Sequence, residues 1–237
     1  MKNAKQLELP MNTHGGRREG AGCKRKNARA TVAHVERPTF KRAHPVQVTM
    51  RFCDGIPNLR ERPAWAVVVR VMRAMRERGD FRVVHYSVMW NHIHAIVEAD
   101  SHAAFVSAMR SLTIRLALAL NGHFGRKGKV FDHRYDACAL TCPRHVRSAL
   151  QYVLLNARKH AAEQGETYPA DWVDPRSTSV LFDGWSTPPP LACGRDFGIV
   201  PAQTWLLDVG WRQHGLLRLD AIPGDLAVDS ANVARAA

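Results

Sequence analysis

Long apolar runs are missing from this chain. No uninterrupted stretch of about 18 hydrophobic residues occurs, and the N-terminus is polar throughout, so neither a membrane span nor a signal peptide is readable. Cysteine is sparse. The five present (Cys23, Cys53, Cys138, Cys142, Cys193) form no CxxC pair, and an odd number suits a reducing compartment, which argues against a disulfide scaffold. Cys138 and Cys142, with His145 nearby, do not complete a zinc-finger spacing. The expectation is a cytoplasmic protein with no membrane partner. Acidic residues are also few: 21 Asp and Glu stand against 34 Lys and Arg, a net charge of +13. Such a balance favours a polyanionic partner and says nothing about fold.

What is present is ordinary globular material. The 237 residues are 46% hydrophobic and 23% charged, enough to bury a sizeable core. The positive charge is uneven. Residues 1–44 hold 11 basic and 3 acidic side chains and residues 45–161 hold 18 and 8, whereas residues 162–189 hold 1 and 5. A nucleic-acid surface is therefore expected before residue 162. Within residues 1–43, Gly15 to Arg29 mixes glycine with basic residues and lacks apolar periodicity. It reads either as a solvated flexible leader or as a DNA-tracking arm, in which Arg17 and Arg18 supply charge and the glycines allow close approach.

From Pro45 the pattern becomes regular. Val46 to Phe52 alternates as a half-buried strand does. Residues 63–78 place Trp65, Val68, Val69, Met72 and Met75 at helical spacing behind Pro63, with Gly79 as the stop. Phe81 to Trp90 and His92 to Glu98 read as two strands, and Ser101 as the cap of a helix over 103–120 that Asn121-Gly122 breaks. Val130 to Leu140 reads as a strand, and Pro143 opens a helix to about His160. The first six elements follow the βαββαβ order of the ferredoxin-like fold, an α+β antiparallel sheet, with an added C-terminal helix. The expected organisation is a basic arm (1–43), a catalytic domain (44–161) and a C-terminal extension (162–237).

Two constellations carry chemistry. His92 and His94 are i and i+2 on a strand, so both imidazoles face one way, which is half of a metal site or an accident of composition. Tyr152 and Asn156 are i and i+4, one above the other on a helix. Asn is a poor interior helix former, so Asn156 implies either solvent exposure or a ligand role. Tyr152 taken alone reads as a core aromatic. Lys159 and His160 suit the helix C-terminus by charge alone.

The segments HYSVMWNHIHAIVE, GKVFDHRYDA and ALQYVLLNARKH together resemble the HUH single-tyrosine transposases, and among them the REP-associated tyrosine transposases. The resemblance spans about residues 44–185. This chain has Trp90 where the family commonly has Pro before Asn-His, and Asn156-Ala157 where it commonly has Asn-Pro. The resemblance implies Tyr152 as nucleophile, and His92, His94 and Asn156 as ligands of a divalent metal, Mg²⁺ or Mn²⁺. It implies cleavage and rejoining of single-stranded, hairpin or palindromic DNA through a 5′-phosphotyrosine. A homodimer is one assembly open to such a protein. Arg134, beside Tyr135, resembles a family stretch near the active face and either contacts DNA or pairs with Asp132 or Asp136. Arg126, Lys127 and Lys129 form a basic loop placed for phosphates, and Phe124 and His133 either stack on bases or pack. The rival reading is a catalytically inactive ferredoxin-like nucleic-acid-binding protein. A water-using metallohydrolase is a third.

Overall fold

The structure is a computed structural model and describes residues 44–190 and 194–224. In chain order it contains β1 (Val46–Arg51), α1 (Arg62–Met75), β2 (Phe81–Val88), β3 (His92–Ala99), α2 (His102–His123), β4 (Asp136–Ala139), α3 (Pro143–Leu154), α4 (Asn156–Glu163) and α5 (Trp205–Asp208). Short 3-10 turns lie at Thr178–Leu181 and Gly210–His214. The strands form one sheet in the order β2-β3-β1-β4, with every neighbouring pair antiparallel. This is the α+β, ferredoxin-like arrangement expected from the βαββαβ pattern.

Strand alternation sorts the core into two layers. Val46, Val48 and Met50 of β1 and Ile93, Ala95 and Val97 of β3 face α1 and α2. The alternate residues of β3, with Ile96 the apolar one, face α3 together with Val84 of β2. Residues 162–190 and 194–224 do not pack by themselves. Phe182, Trp185, Trp211 and Leu217 join Val146, Leu150 and Val153 of α3 in one buried cluster. Glu98, buried on the same face, fixes this tail: its carboxylate accepts from the backbone N–H groups of Gln203 and Thr204 at 2.7 and 3.0 Å, and from Thr204 Oγ1 at 2.6 Å.

Local chemistry explains most element limits. Pro63 sits in the first turn of α1, where a missing N–H costs nothing. Ser101 caps α2 by accepting from Ala104 N at 3.1 Å.

Three expectations need correction. First, α2 does not stop at Asn121-Gly122 but runs to His123, and Asn121 Nδ2 donates to Gly128 O at 2.9 Å, tying the following loop back onto the helix. Second, the strand expected over Val130 to Leu140 is regular only in β4. Thr49 pairs with Asp136 but Phe52 bridges Phe131, so the register slips by two residues and 132–135 bulge out of the ladder. Third, the helix expected from Pro143 to about His160 is broken at Leu155 (φ −109°, ψ 17°) into α3 and α4. The break falls between Tyr152 and Asn156. It places Asn156 at a helix start, where this residue type is less costly than in an interior. Helix α2 is also long and apolar enough by composition to cross a membrane, which no stretch of sequence had suggested. Its Phe105, Met109, Leu112, Leu116 and Leu120 are buried in the core.

Candidate active site

The α3 face of the sheet gathers the residues that the sequence singled out. His92 and His94 lie side by side with ring centroids 4.6 Å apart. The Tyr152 ring stands edge-on to His94 at 5.0 Å. The adjoining strand supports the pair, because β1 runs antiparallel to β3 with Thr49 opposite His94 and Arg51 opposite His92. Thr49 Oγ1 bonds His94 Nδ1 at 3.0 Å, and Asn91 Oδ1 bonds His92 Nδ1 at 2.8 Å. An amide oxygen only accepts, so the Asn91 bond holds the His92 proton on Nδ1 and leaves Nε2 with its lone pair.

Both imidazoles are kept neutral. Burial, then the nearby His160, Arg51 and Lys159, push His92 down to about 4, with Asn156 opposing. Burial and the same neighbours, together with His92 itself, hold His94 well below the usual histidine range. Neutral imidazole is the form that ligates metal.

Asn156 is the most informative residue. It is 0% exposed, and among the described residues neither Oδ1 nor Nδ2 makes a hydrogen bond of normal geometry, although the side chain lies close enough to His92 to affect its titration. Solvent exposure therefore does not account for it. A buried amide with neither end partnered costs on the order of 1–3 kcal/mol unless something else binds it. The donor set fits a divalent ion: two neutral imidazoles and one amide oxygen, with no fixed charge of their own. Among the described residues, no three His, Cys, Asp or Glu side chains form a metal-holding group, which leaves the Asn156 oxygen as the candidate third protein ligand beside the two imidazoles.

Two residues read from sequence only as helix-end charges belong to this site. The His160 ring lies 5.5 Å from that of His92, with Nδ1 bonded to Glu163 Oε2 at 2.9 Å and Nε2 buried without a partner. Lys159 Nζ pairs with Glu163 Oε1 at 2.7 Å and lies 5.7 Å from the Tyr152 ring centroid. The signal was spacing, since His160 follows Asn156 by four residues and Tyr152 by eight. Tyr152 is half-buried, and no hydrogen bond among the described residues engages its hydroxyl.

The basic candidates are scattered by comparison. Arg134 and Tyr135 line a groove against Val106, Arg110 and Thr113 of α2, and the Tyr135 ring contacts Phe105 at 5.9 Å. Asp132 lies 3.9 Å from Lys129 Nζ and 4.0 Å from His133 Nε2. In the 125–129 loop, Arg126 Nη2 reaches Lys129 O at 3.4 Å, Lys129 Nζ donates to Asp132 O, and Lys127 is exposed. Phe124 and Phe131 pack against the α1–α2 core. Arg17 and Arg18 lie outside the described residues.

No protein-family model matches the chain. No curated protein is similar to it. Among solved structures, it is similar to a REP-associated tyrosine transposase bound to a REP hairpin, with 17% identity, coverage of 62% of this chain and 82% of the other, and a TM-score of 0.48.

Proposed function

We propose that this protein is a metal-dependent single-strand DNA transesterase of the tyrosine transposase class. The observation that carries the reading is the convergence of His92, His94, the unpartnered buried Asn156 amide and Tyr152 on one face of the sheet. His92, His94 and Asn156 would hold the ion. When bound, a Mg²⁺ or Mn²⁺ ion supplies positive charge that neutralises a scissile phosphodiester and orients it.

The rest follows from the protein's own groups. The Tyr152 hydroxyl attacks phosphorus. A bond forms between Oη and phosphorus, the bond to the 3′ oxygen breaks, the phenol loses its proton, and the departing 3′ oxygen gains one. The product is a 5′-phosphotyrosine and a free 3′-hydroxyl. Because one phosphoester replaces another, the same site can rejoin strands by the reverse exchange. Lys159, over the Tyr152 ring, adds positive charge beside the incoming phosphate and restrains the ring. Thr49 and Asn91 keep the imidazoles aimed. A water-using hydrolase does not need a tyrosine ring packed beside His94. The test is incubation with a single-stranded hairpin oligonucleotide and Mn²⁺. A denaturation-stable protein–DNA adduct that maps to Tyr152 is expected, and cleavage without an adduct would overturn the reading.

A further inference from the structure

A concentration of uncompensated charge lies away from the histidines, on the α1 side of the sheet. An open cavity of 870 Å³ along α1 is lined by Arg62, Trp65, Arg73, Arg176, Arg195 and Asp196, among others. Four guanidinium groups thus meet one carboxylate, and that carboxylate is already engaged. Asp196 pairs with Arg73 at 3.2 Å and with Arg76 at 3.1 Å, and accepts from Gly198 N at 2.8 Å.

The next carboxylate is spent as well. Asp174 takes a two-point contact from Arg60 at 2.9 and 2.8 Å and a further bond from the Arg176 backbone N–H at 2.9 Å. Among the described residues, Arg62, Arg176 and Arg195 form no ion pair.

The cavity is built rather than incidental. Arg176 lies over the Trp65 ring at 5.6 Å and donates through Nε to Arg60 O at 2.7 Å, which holds its fork beside the cavity. Burial, then repulsion from Arg60, Arg195 and Arg62 with Asp174 opposing, lowers the Arg176 pKa, as expected where guanidinium groups crowd together. The opposite wall is fixed by Gly198 at φ +73°, whose missing Cβ lets the backbone lie on α1: a Cβ there would meet Arg73 N, and Met72 C at 2.7 Å.

The cavity is tied through the backbone to the hairpin that leads into the candidate active site. The loop leading into α1 is bonded to the β2–β3 hairpin that carries His92, through Leu59 N to Trp90 O at 3.3 Å and Arg60 Nη1 to Val88 O at 2.8 Å. Trp90, at the tip of that hairpin, is 58% exposed. An exposed aromatic on a hairpin bonded to the loop that precedes these fork-shaped cations offers the two contacts a single strand uses, stacking on bases and pairing with phosphates.

We propose that this cavity receives backbone phosphates of single-stranded DNA extending from the candidate active site past Trp90, with Arg62 and Arg195 as the direct contacts. The inference rests on the transesterase reading for its choice of ligand.

The test measures the salt dependence of binding to a labelled single-stranded oligodeoxynucleotide by the full chain. Each lost phosphate contact flattens the slope of log Kobs against log[salt] by about 0.7 for single strands. Arg62→Gln with Arg195→Gln should therefore flatten it by about 1.4, while the Lys pair at the same positions retains the wild-type slope. The charge-matched pair Arg115→Gln with Arg218→Gln, both on exposed surface elsewhere, should leave it unchanged. An unchanged slope in the first pair, equal changes in both pairs, or absence of DNA binding by the wild type overturns the proposal. If the first pair lowers Tm, Arg195→Gln alone should flatten the slope by about 0.7. Adduct formation by the wild type is scored separately: its absence with a flattened slope removes the transesterase reading and leaves the cavity, and its presence with an unchanged slope removes only the cavity.

Discussion

On the α1–α2 face of the sheet, Val48, Met50, Ile93 and Ala95 meet Met72, Leu112 and Leu116, all essentially excluded from water. On the α3 face, the same strands present Thr49, His92, His94 and Glu98 to a layer that also buries Asn156. The first face is sealed by apolar packing alone. The second spends stability on buried polar groups, and it does so in two ways. Glu98 is fully answered by Thr204 and the Gln203 backbone, so its burial serves to hold the tail. Asn156 makes no hydrogen bond of normal geometry among the described residues. A polar group that folding has satisfied reports on architecture, and one that folding has left waiting reports on a ligand.

The contrast can be broken most sharply at Tyr152. Tyr152→Phe keeps the ring against His94 and removes one oxygen that makes no hydrogen bond among the described residues. Adduct formation and strand cleavage should vanish while Tm stays within error of wild type. Residual adduct on denaturing gels would show that another group is the nucleophile, and Tyr135→Phe serves as the control that keeps the adduct.

Acid should find the α3 face first. His85 and His92 titrate at about 4 in the folded protein, and His94 is held well below the usual value, chiefly by burial. Their folded pKa values lie below the unfolded one, so the unfolded chain binds more protons. Stability is fully present above pH 6.5, the unfolded value, and is lost as pH falls towards 4. Each histidine contributes a slope of about 1.4 kcal/mol per pH unit in that window. Urea melts of metal-free protein across it should show the loss, and replacing His85 by Gln should shallow the slope by one such increment.

The apolar face should respond only in stability. Leu112→Ala, at a fully buried position of α2, should cost about 2–5 kcal/mol and leave the adduct yield of the folded fraction unchanged. A loss of chemistry at temperatures where the variant is folded would mean that the two layers are coupled.

The smallest change in stability has the most unusual sign. Asn156→Leu replaces an unpartnered buried amide by an apolar side chain of similar size, and should raise the stability of metal-free protein by about 1–3 kcal/mol while abolishing metal-dependent cleavage. A destabilised variant would mean that the amide is satisfied in solution and was never waiting for an ion.

Several of these contrasts were readable before any coordinates. The alternation through Asn91 to Val97 already put His92 and His94 on one face, because a strand has period two and β3 pairs with β1 in unbroken register from His92 to Val97. Pro63 and Ser101 marked helix starts because their effect is local. What eluded the pattern was decided by partners distant in sequence. The bulge over 132–135 depends on how Phe131 reaches Phe52 across the sheet, and α2 passes through Asn121-Gly122 because its buried leucines hold it past a weak break. The fate of residues 162–190 and 194–224 was hidden for the same reason, since Trp185 and Trp211 acquire meaning only against Val146 and Leu150.

By itself, then, the sequence determined what is set within a few residues: the order of elements, the two histidines facing together, and the pairing of a tyrosine with an amide one turn on. Tertiary structure alone decided which polar groups would be answered. Leu155 breaks the helix so that Asn156 enters a sealed layer, and His160 and Lys159 are carried from helix-end charges to the rim of the histidine pair. The physical reason is that periodicity is a property of one element, whereas burial without a partner is a property of the space between several. Asn156 shows it in one side chain, placed by its helix and left unbonded by its neighbours.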